Sequence, residues 1–534
     1  MSVTLDGRSL SLSDLVAVAR AGAAVGLSEA SYAEMRRSRS WVEDLAEGRR
    51  LGPNDTPLVV YGVNTGFGSL ARVHIPFDQV RELMRNLIRS HAAGIGPSVD
   101  PDAARAMVLL RANALARGAS GCRPALVELL VALLNEGITP VIPSRGSCGS
   151  SGDLAPLSHL GLIVSHAPDD PDAETGSAWV DGELVSGREA LARRGLTPLV
   201  LGPKEGLAIN NGAQLTTAIA ALAAFDAERL VLTAEIAAAM SIEALRGVTR
   251  AFHPAVHALR PYAGALACAS NLRTLLEGSG LTDTVPGKVQ DAYSLRCTPT
   301  VLGATRDTVA HASSQVQVEL NAVTDNPVIC LDADDQDAFS AGLFHGEPVG
   351  IASDVLKIAI AELASLSERR LFRLTTGNLS AQLPASLRHD DRPGVGLFGL
   401  QTTAAALVSE NKSLAWPASV DSLPTCEDQE DHVAMSTTAA RRAAEVVGNA
   451  QKVIAIELLC AARALRYRLD QEPGLELGRG TGPALRTLEA ALSDDQDATP
   501  SERVTEVLAV MRKNTLLDAV EASTGRLLRV GEAP

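Results

Sequence analysis

The sequence predicts a mainly α fold, with a central bundle of long helices and a smaller N-terminal region of Gly-rich loops. Apolar residues recur three or four positions apart in several segments, which is the spacing of one face of an α-helix. The three clearest stripes are Leu215, Ile219 and Leu222; Leu356, Ile360 and Leu363; and Val446, Ala450, Val453 and Cys460. The segments around them are rich in the good helix formers Ala, Leu and Glu. Strand patterns are short, and one candidate hairpin lies at 177–184 around Asp181-Gly182.

Three consecutive regions are predicted along the 534 residues. Residues 1–200 mix helices with Gly-rich loops, and an acidic linker within them is expected to be a solvated loop. Residues 201–466 hold the longest helices, and residues 467–534 form a tail with two shorter helical patterns. Because Ala-rich helices would bury well against copies of themselves, we expect a homo-oligomer.

The composition excludes several classes of function. A net charge of −15, with no run of five Lys or Arg residues, argues against nucleic acid as a partner. The N-terminus does not resemble a signal peptide and no long apolar run occurs, so we expect no membrane partner. The seven scattered cysteines fit reduced thiols in the cytoplasm. We expect no metal site, because HExxH is absent and the ten histidines lack ligand spacing.

The most unusual segment is 144–159, which reads SRGSCGSSGDLAPLSH. Its simplest interpretation is a turn into a helix, with Asp153 as the N-cap and glycines supplying positive φ. A Ser nucleophile elbow needs Gly-x-Ser-x-Gly, and no serine here has that spacing. Cys148 is a weak candidate for a reactive thiolate, because Arg145 is the one local residue that would lower its pKa.

The string GSSGDLAPLSH closely resembles the signature of the histidine and phenylalanine ammonia-lyase family. The resemblance implies that the nitrogen of Gly152 attacks the carbonyl of Ser150 and that dehydration turns Ser151 into an exocyclic methylene. The product is the methylidene-imidazolone cofactor MIO, formed autocatalytically. The family usually has Ala where this chain has Ser150. Since the cyclisation uses only the backbone carbonyl at that position, the change should not forbid it.

An electrophilic group answers a chemical need that ordinary side chains cannot meet. An α-amino group leaves poorly, and the β-proton of an amino acid is only weakly acidic. Covalent catalysis divides such a difficult step into easier ones. The resemblance also implies an ammonia-lyase-like superhelical fold and a homotetramer whose active sites draw residues from several subunits.

Tyr61 lies in VVYGVNTGFG, which resembles the mobile inner loop of the family. By resemblance it is the base that takes the β-proton. Its simpler interpretation is a partly buried loop anchor. A tyrosine that acts as a base near neutral pH needs its anion stabilised, for example by the positive end of a helix.

Two motifs bear on the substrate ring. NLIRSHAAGIGP places Ser90-His91 where family members select the ring, and histidine lyases have Ser-His there. CEDQEDHVAM resembles the NQEDHVSM of histidine lyases, which implies that Gln429 and Glu430 contact the substrate. A glutamate can hold an imidazole ring by charge and hydrogen bonding, and a polar site of this kind discriminates strongly between substrates.

Three further motifs complete the resemblance, in EGLAINNGAQ, KVQDAYSLRCTPTVLG and FSAGLFHGEP. They imply that Tyr293 is catalytic and that substrate is bound by Asn211, Gln290, Arg296 and Phe344. The planar guanidinium of Arg296 suits a substrate carboxylate, although a surface ion pair is its simpler interpretation. Two further positions depart from the family: Thr300 stands where Gln is common, and Leu343 replaces an Asn, which removes an amide from the site.

The predicted function is therefore MIO-dependent elimination of ammonia from L-histidine to give urocanate. One alternative is an MIO-dependent 2,3-aminomutase, which would convert histidine to β-histidine with nearly the same residues. A tyrosine- or phenylalanine-selective ammonia-lyase is another, and a catalytically dead scaffold without the cofactor is a third.

Overall fold

Helices dominate the computed structural model, which describes residues 2–51, 56, 58–68, 71–333, 337–388, 396–492 and 498–534. This confirms the predicted mainly α class. In chain order the α-helices are α1 (Leu12–Ala21), α2 (Glu29–Ala46), α3 (Val80–His91), α4 (Pro101–Ala116), α5 (Pro124–Asn135), α6 (Leu154–Val164), α7 (Gly187–Arg193), α8 (Glu205–Asn210), α9 (Gln214–Ala244), α10 (Pro254–Ala258), α11 (Ala263–Leu276), α12 (Tyr293–Arg296), α13 (Thr298–Glu319), α14 (Glu347–Thr375), α15 (Phe398–Leu414), α16 (Ser436–Gln471), α17 (Thr481–Ala491), α18 (Pro500–Arg512) and α19 (Thr515–Thr524).

The strands are short and form small sheets. They are β1 (Ser2–Leu5), β2 (Ala24–Leu27), β3 (Ile95–Ser98), β4 (Thr139–Pro140), β5 (Pro143–Arg145), β6 (Ser177–Val180), β7 (Glu183–Ser186), β8 (Val328–Ile329) and β9 (Ala338–Phe339). β1 pairs in parallel with β2, while the antiparallel sheets are β3-β5, β4-β6-β7 and β8-β9.

The predicted hairpin is present as β6 and β7. Asp181 and Gly182 connect the strands with φ angles of 53° and 82°. Positive φ at both central residues is what a two-residue type I′ turn requires, and this turn matches the twist of the paired strands.

The predicted apolar stripes are the buried faces of three long helices. Every residue of the stripes on α9, α14 and α16 is buried. Each buried apolar side chain contributes roughly 1.5–3 kcal/mol relative to an exposed one, so these faces account for much of the core. Within the described ranges, no helix has both the length and the apolar character needed to cross a bilayer.

Contacts between residues group the chain into two compact units. Unit 1 comprises Met1–Leu222, Ser314–Asp354 and Pro417–Arg441, and unit 2 comprises Ala223–Ser313, Val355–Trp416 and Arg442–Pro534. The three consecutive regions drawn from the sequence do not coincide with these units. The reason is that the long helices of the central region, such as α9 and α16, contribute residues to both.

Candidate active site

A cavity of about 800 Å³ in unit 1 gathers most of the residues singled out in the sequence. Its walls come from the loop after residue 58, the end of α3, the segment before α6, the end of α8 and the loops that precede α14 and α16. The sequence-predicted residues among its lining are Tyr61, His91, Ser150, Ser151, Asn211, Phe344, Gln429 and Glu430. Residues separated by more than 350 positions therefore meet in one place.

The segment 149–152 follows a backbone path that only glycine accepts at two positions. Gly149 and Gly152 have φ angles of 72° and 74°. A Cβ on Gly149 would lie 1.9 Å from the Oγ of Ser436, and a Cβ on Gly152 would lie 2.4 Å from the carbonyl of Gly212. A Cβ on Gly346 would also approach Ser436 Oγ, to 2.3 Å. Gly152 thus packs directly against the backbone of Gly212, while Gly149 and Gly346 pack against the Ser436 side chain.

Asp153 follows this segment and is held in place by hydrogen bonds to its carboxylate. It is the N-cap residue of α6, as predicted, but its side chain makes no capping hydrogen bond. Its buried carboxylate instead accepts hydrogen bonds from the hydroxyls of Ser147 (2.7 Å), Thr437 (2.9 Å) and Thr216 (3.0 Å) and from the Thr216 amide (2.8 Å). Burial raises the pKa of Asp153, and these hydrogen bonds oppose that rise.

Asn211 holds the main chain of the same segment. It lies at the C-cap of α8, and its Nδ2 donates to the carbonyl oxygen of Ser151 at 2.8 Å. An amide donor at this point stabilises negative charge on the carbonyl oxygen.

Glu430 receives three hydroxyl donors. Ser150 Oγ donates to its Oε2 at 2.9 Å, Thr425 Oγ1 donates to the same oxygen, and Ser151 Oγ donates to Oε1. Burial raises the pKa of Glu430, but the hydrogen bonds from Ser151, Thr425 and Ser150 and the charge of His91 outweigh it, so the pKa lies below its ordinary value. The carboxylate is therefore ionised although it is partly buried.

His91 ends α3 and faces the cavity. Its Nδ1 is 2.9 Å from the main-chain oxygen of Leu87 and 3.0 Å from Ser90 Oγ. Because a carbonyl can only accept, Nδ1 carries the proton in the Leu87 bond, which leaves Nε2 as an acceptor when the ring is neutral.

Tyr61 stands in a turn at the cavity wall, with its ring edge against Phe67 at 6.5 Å between centroids. The Gly68 amide donates to its Oη at 3.2 Å. Burial raises the pKa of Tyr61, and Cys426 and Glu430 raise it further, while the Gly68 hydrogen bond lowers it. The sequence analysis gave the positive end of a helix as one possible stabiliser of the Tyr61 anion. The donor that the structure shows is instead the amide of Gly68, which lies in a loop.

Cys148 is not an activated thiol. Burial and the neighbouring Glu430 raise its pKa, so the thiolate is disfavoured.

Four predicted residues do not line this cavity. One is Gly152, whose backbone pairs with that of Gly212. Gln290, Tyr293 and Arg296 belong to unit 2, where Gln290 is exposed and Tyr293 is 71% exposed. The Arg296 guanidinium lies over the Tyr293 ring, 4.8 Å from its centroid, and Arg296 Nε donates to the Asp291 carbonyl.

Two of the three departures from the family pattern, Leu343 and Thr300, lie at exposed positions, whereas Ser150 is buried. Leu343 is 51% exposed and is not among the residues that line the cavity, although Gly342 and Phe344 are. Thr300 is exposed on α13.

Sequence reasoning missed the hydroxyls that hold the site together. Thr425 pairs with Glu430 through an isolated β-bridge, and its hydroxyl donates to the Glu430 carboxylate. In the sequence the two residues are only five positions apart, and that spacing alone does not predict a contact. Thr437 lies just inside α16, where a threonine carries no sign of a buried partner. His345 and His432 also line the cavity, with rings 5.7 Å apart.

The arrangement combines the parts that an elimination reaction needs. It has a phenol beside the cavity, an ionised carboxylate that can hold a polar ring, and an amide aimed at the Ser151 carbonyl. These groups come from two loops and a helix end, each with hydrogen bonds that restrict it, and such restricted groups are what preorganised catalysis requires.

Comparison with known proteins gives a consistent result. A family model described as aromatic amino acid lyase matches residues 10–492. A histidine ammonia-lyase of Gloeobacter violaceus is 48% identical over 528 residues, covering 98% of each chain. The crystal structure of a histidine ammonia-lyase from Trypanosoma cruzi has a TM-score of 0.87 and 34% identity, and the match covers 98% of this chain and 96% of that one. A tyrosine aminomutase from Streptomyces globisporus has a TM-score of 0.88 and 35% identity, covering 99% and 100%. The ammonia-lyase-like fold predicted from the sequence is thereby confirmed.

Proposed function

Because the chain belongs to the aromatic amino acid lyase family, we propose that it eliminates ammonia from L-histidine and releases urocanate. The observation that carries this proposal is the ionised Glu430 carboxylate, which lies in the cavity with His91. A carboxylate suits a substrate ring with N–H donors, and it suits a phenyl ring poorly. The histidine ammonia-lyase relatives support the same substrate.

The cofactor of this proposal is MIO, made from Ser150, Ser151 and Gly152. The amide nitrogen of Gly152 would bond to the carbonyl carbon of Ser150. The oxygen of that carbonyl would leave as water with the amide hydrogens of Gly152 and Ser151, which leaves a carbon–nitrogen double bond to the Ser151 nitrogen. Ser151 then loses its Cα hydrogen and its hydroxyl as a second water, which leaves a carbon–carbon double bond. Both steps are dehydrations, so no oxidant or reductant is needed.

Several observations fit this group. Gly152 has a positive φ, and the backbone of Gly212 lies too close to it for a side chain. A glycine is therefore suited to a compact ring at this position. Asn211 would hold the ring carbonyl that derives from Ser151, and Asp153 would hold the downstream end. The carboxylate of Glu430 already accepts from the Ser151 hydroxyl that would leave. MIO would supply an electrophilic carbon for the amino nitrogen of the substrate.

The residues of the chain would then divide the remaining work. Glu430, Gln429 and His91 would orient the imidazole ring, and Phe344 would pack against the substrate. Tyr61 would take the β-proton at its Oη. Because burial raises the pKa of Tyr61, its anion would need more stabilisation than the Gly68 amide provides alone.

We propose that Gln290, Tyr293 and Arg296 join the site from a neighbouring copy of the chain in a homotetramer. Support comes from the exposed Tyr293 ring and the Arg296 guanidinium stacked on it, which together leave a cation available to a substrate carboxylate. None of the seven cysteines, all within the described part of the chain, forms a disulfide, which is in keeping with a cytoplasmic protein.

Intact-mass measurement and a histidine assay test the proposal together. The mature chain should weigh about 36 Da less than its sequence, since two waters of about 18 Da leave, and it should generate the ultraviolet absorbance of urocanate. The variant Ser151→Ala should keep the sequence mass and lose turnover while remaining folded. An unmodified wild-type chain that folds and assembles would contradict the cofactor proposal.

A tyrosine aminomutase shares this fold closely, so 2,3-aminomutase activity is the second candidate. Amino-acid analysis after incubation with L-histidine separates the two functions. Accumulation of urocanate and ammonia supports the lyase, and accumulation of β-histidine with little urocanate would replace it by the mutase.

A further inference from the structure

The hydroxyl donors to Glu430 are distributed unequally between its two oxygens. Ser150 and Thr425 both donate to Oε2. Among the described residues, Ser151 supplies the hydrogen bond to Oε1. One oxygen is thus held by two side chains, and the other depends on a hydroxyl that belongs to the cofactor-forming triad.

Cofactor formation would change these two sets of bonds differently. Dehydration removes the hydroxyl of Ser151 as water, and with it the donor to Oε1. Cyclisation consumes the carbonyl oxygen of Ser150 but leaves its side chain intact. After maturation, Oε2 keeps its donors and Oε1 loses the one that Ser151 gave it.

We propose that maturation of the Ser150-Ser151-Gly152 segment frees Oε1 of Glu430 to accept the imidazole N–H of the substrate, while the Ser150 hydroxyl keeps the carboxylate in place through Oε2. This inference rests on the proposed function. Ser150 is then a positioning residue for ring recognition, and the departure from the usual alanine has a role. Glu430 lines the same cavity as His91 and Ser151.

Burial of Ser150 strengthens the influence of its hydroxyl on the Glu430 carboxylate. Ser150 is 8% exposed, so water competes little for its hydrogen bond. A hydroxyl that donates to a carboxylate in such a place favours the charged form and restricts its rotation. Removing it would raise the pKa of Glu430 and loosen the carboxylate.

The other titratable groups near Glu430 are the same residues in the wild type and in a Ser150→Ala variant. Those that line the cavity come from several elements: Tyr61, His91, His345, Cys426, Asp431 and His432. Cys148 also lies close enough for Glu430 to raise its pKa. A Ser150→Ala substitution alters none of them, so a change in the pH profile can be assigned to Glu430.

Direct binding in a background without chemistry is the first test. Ser151→Ala lacks both the cofactor and the hydroxyl on Oε1, so Oε1 is open in it. We expect Ser151→Ala to bind L-histidine by calorimetry and Ser150→Ala/Ser151→Ala to bind it about 3- to 10-fold more weakly. Equal affinities would overturn the inference. Absence of histidine binding by Ser151→Ala would count against the substrate assignment itself.

Kinetics of the mature enzyme form the second test, with Ser501→Ala, an exposed Ser→Ala change on α18, as the matched control. Ser150→Ala should still show the loss of about 36 Da that corresponds to two waters. Its KM for histidine should rise about 3- to 10-fold with a smaller change in kcat, and the acid limb of kcat/KM should move to higher pH.

Glu430→Gln gives the internal check on this second test. In that background, Ser150→Ala should have little further effect on KM, because the carboxylate it positions is gone. A Ser150→Ala enzyme that matures normally but keeps the wild-type KM and acid limb would overturn the inference. So would one that fails to mature, since Ser150 would then act in cyclisation rather than in ring recognition.

Discussion

The side-chain amide of Asn211 donates a hydrogen bond of 2.8 Å to the main-chain carbonyl of Ser151. Asn211 follows α8 directly, so the donor is held by a buried helix and not by a flexible loop. The carbonyl it contacts lies at the centre of the proposed cofactor-forming segment. This pair links the fold to the chemistry more directly than any other contact in the cavity.

Replacing this donor should damage turnover more than binding. Asn211→Ala leaves the Ser151 carbonyl without its amide, and loss of one such donor typically lowers kcat about 100- to 1,000-fold. Steady-state assays with L-histidine would measure the change, and intact mass would show whether cofactor formation also suffers. A variant with wild-type kcat would mean that the hydrogen bond has no catalytic role.

Glu430 should determine the choice of substrate. Glu430→Gln keeps the size of the side chain but removes the charge, so kcat/KM for histidine should fall about 100-fold or more, with a smaller loss for phenylalanine or tyrosine. Glu427→Gln is the matched control, because Glu427 is exposed in the same loop and does not line the cavity. Unchanged histidine turnover in Glu430→Gln would refute the substrate assignment.

Tyr61 should give the reaction an alkaline dependence. Burial raises the pKa of Tyr61 above its ordinary value of 10.0, so the phenolate is scarce at neutral pH and increases as the pH rises. If the phenolate is the base, kcat/KM should climb from about pH 8 to about pH 10. Tyr61→Phe should lower kcat far more than it changes KM, and its residual activity should lack that rise. A flat wild-type profile over this range would argue for a different base.

Glu319 should make the stability of the fold depend on pH. This residue ends α13, and burial together with the Asp153 carboxylate raises its pKa from 4.5 to about 7. A folded-state pKa above the unfolded value means that the stability contribution is complete below about pH 4.5 and is lost as the pH rises through about 7. Through Glu319 alone, the free energy of unfolding of the wild type should therefore be lower at about pH 8 than at about pH 5.5.

Glu319→Gln tests that dependence, because glutamine resembles the protonated acid. At about pH 8 the variant should melt about 2 °C or more above wild type, and at about pH 5.5 the difference should shrink. Glu34→Gln, an exposed change on α2, is the control. Equal differences at both pH values would show that Glu319 does not titrate in this range.

The sequence was informative wherever a residue pattern has one physical meaning. The stripe Leu215, Ile219 and Leu222 can satisfy its spacing only on one helix face, and it is buried. The Asp181-Gly182 pair needs positive φ and therefore forms a tight hairpin turn. The motifs around Tyr61 and Ser151 were found because they resemble a family as linear strings, and the cavity brings them together.

Relations between distant residues were not accessible in the same way. The three hydroxyls on the Asp153 carboxylate come from Ser147, Thr216 and Thr437, and hydrogen-bonding side chains of this kind leave no periodic trace in a sequence. The two compact units were missed because helices such as α9 contribute to both. The raised pKa of Tyr61 depends on burial, which the Gly-rich loop did not reveal.

The near contact of Gly149 and Gly346 with Ser436 sets a limit on how this protein can be redesigned. A methyl group at either glycine would collide with the hydroxyl of Ser436, the first residue of α16, so that side chain would have to move. Libraries that aim at new substrates should keep both glycines fixed and vary Phe344 and Gln429, whose side chains border open space. Evolution faces the same restriction: ring preference can change through residues of the cavity wall, while added bulk at Gly149 or Gly346 requires Ser436 to move as well.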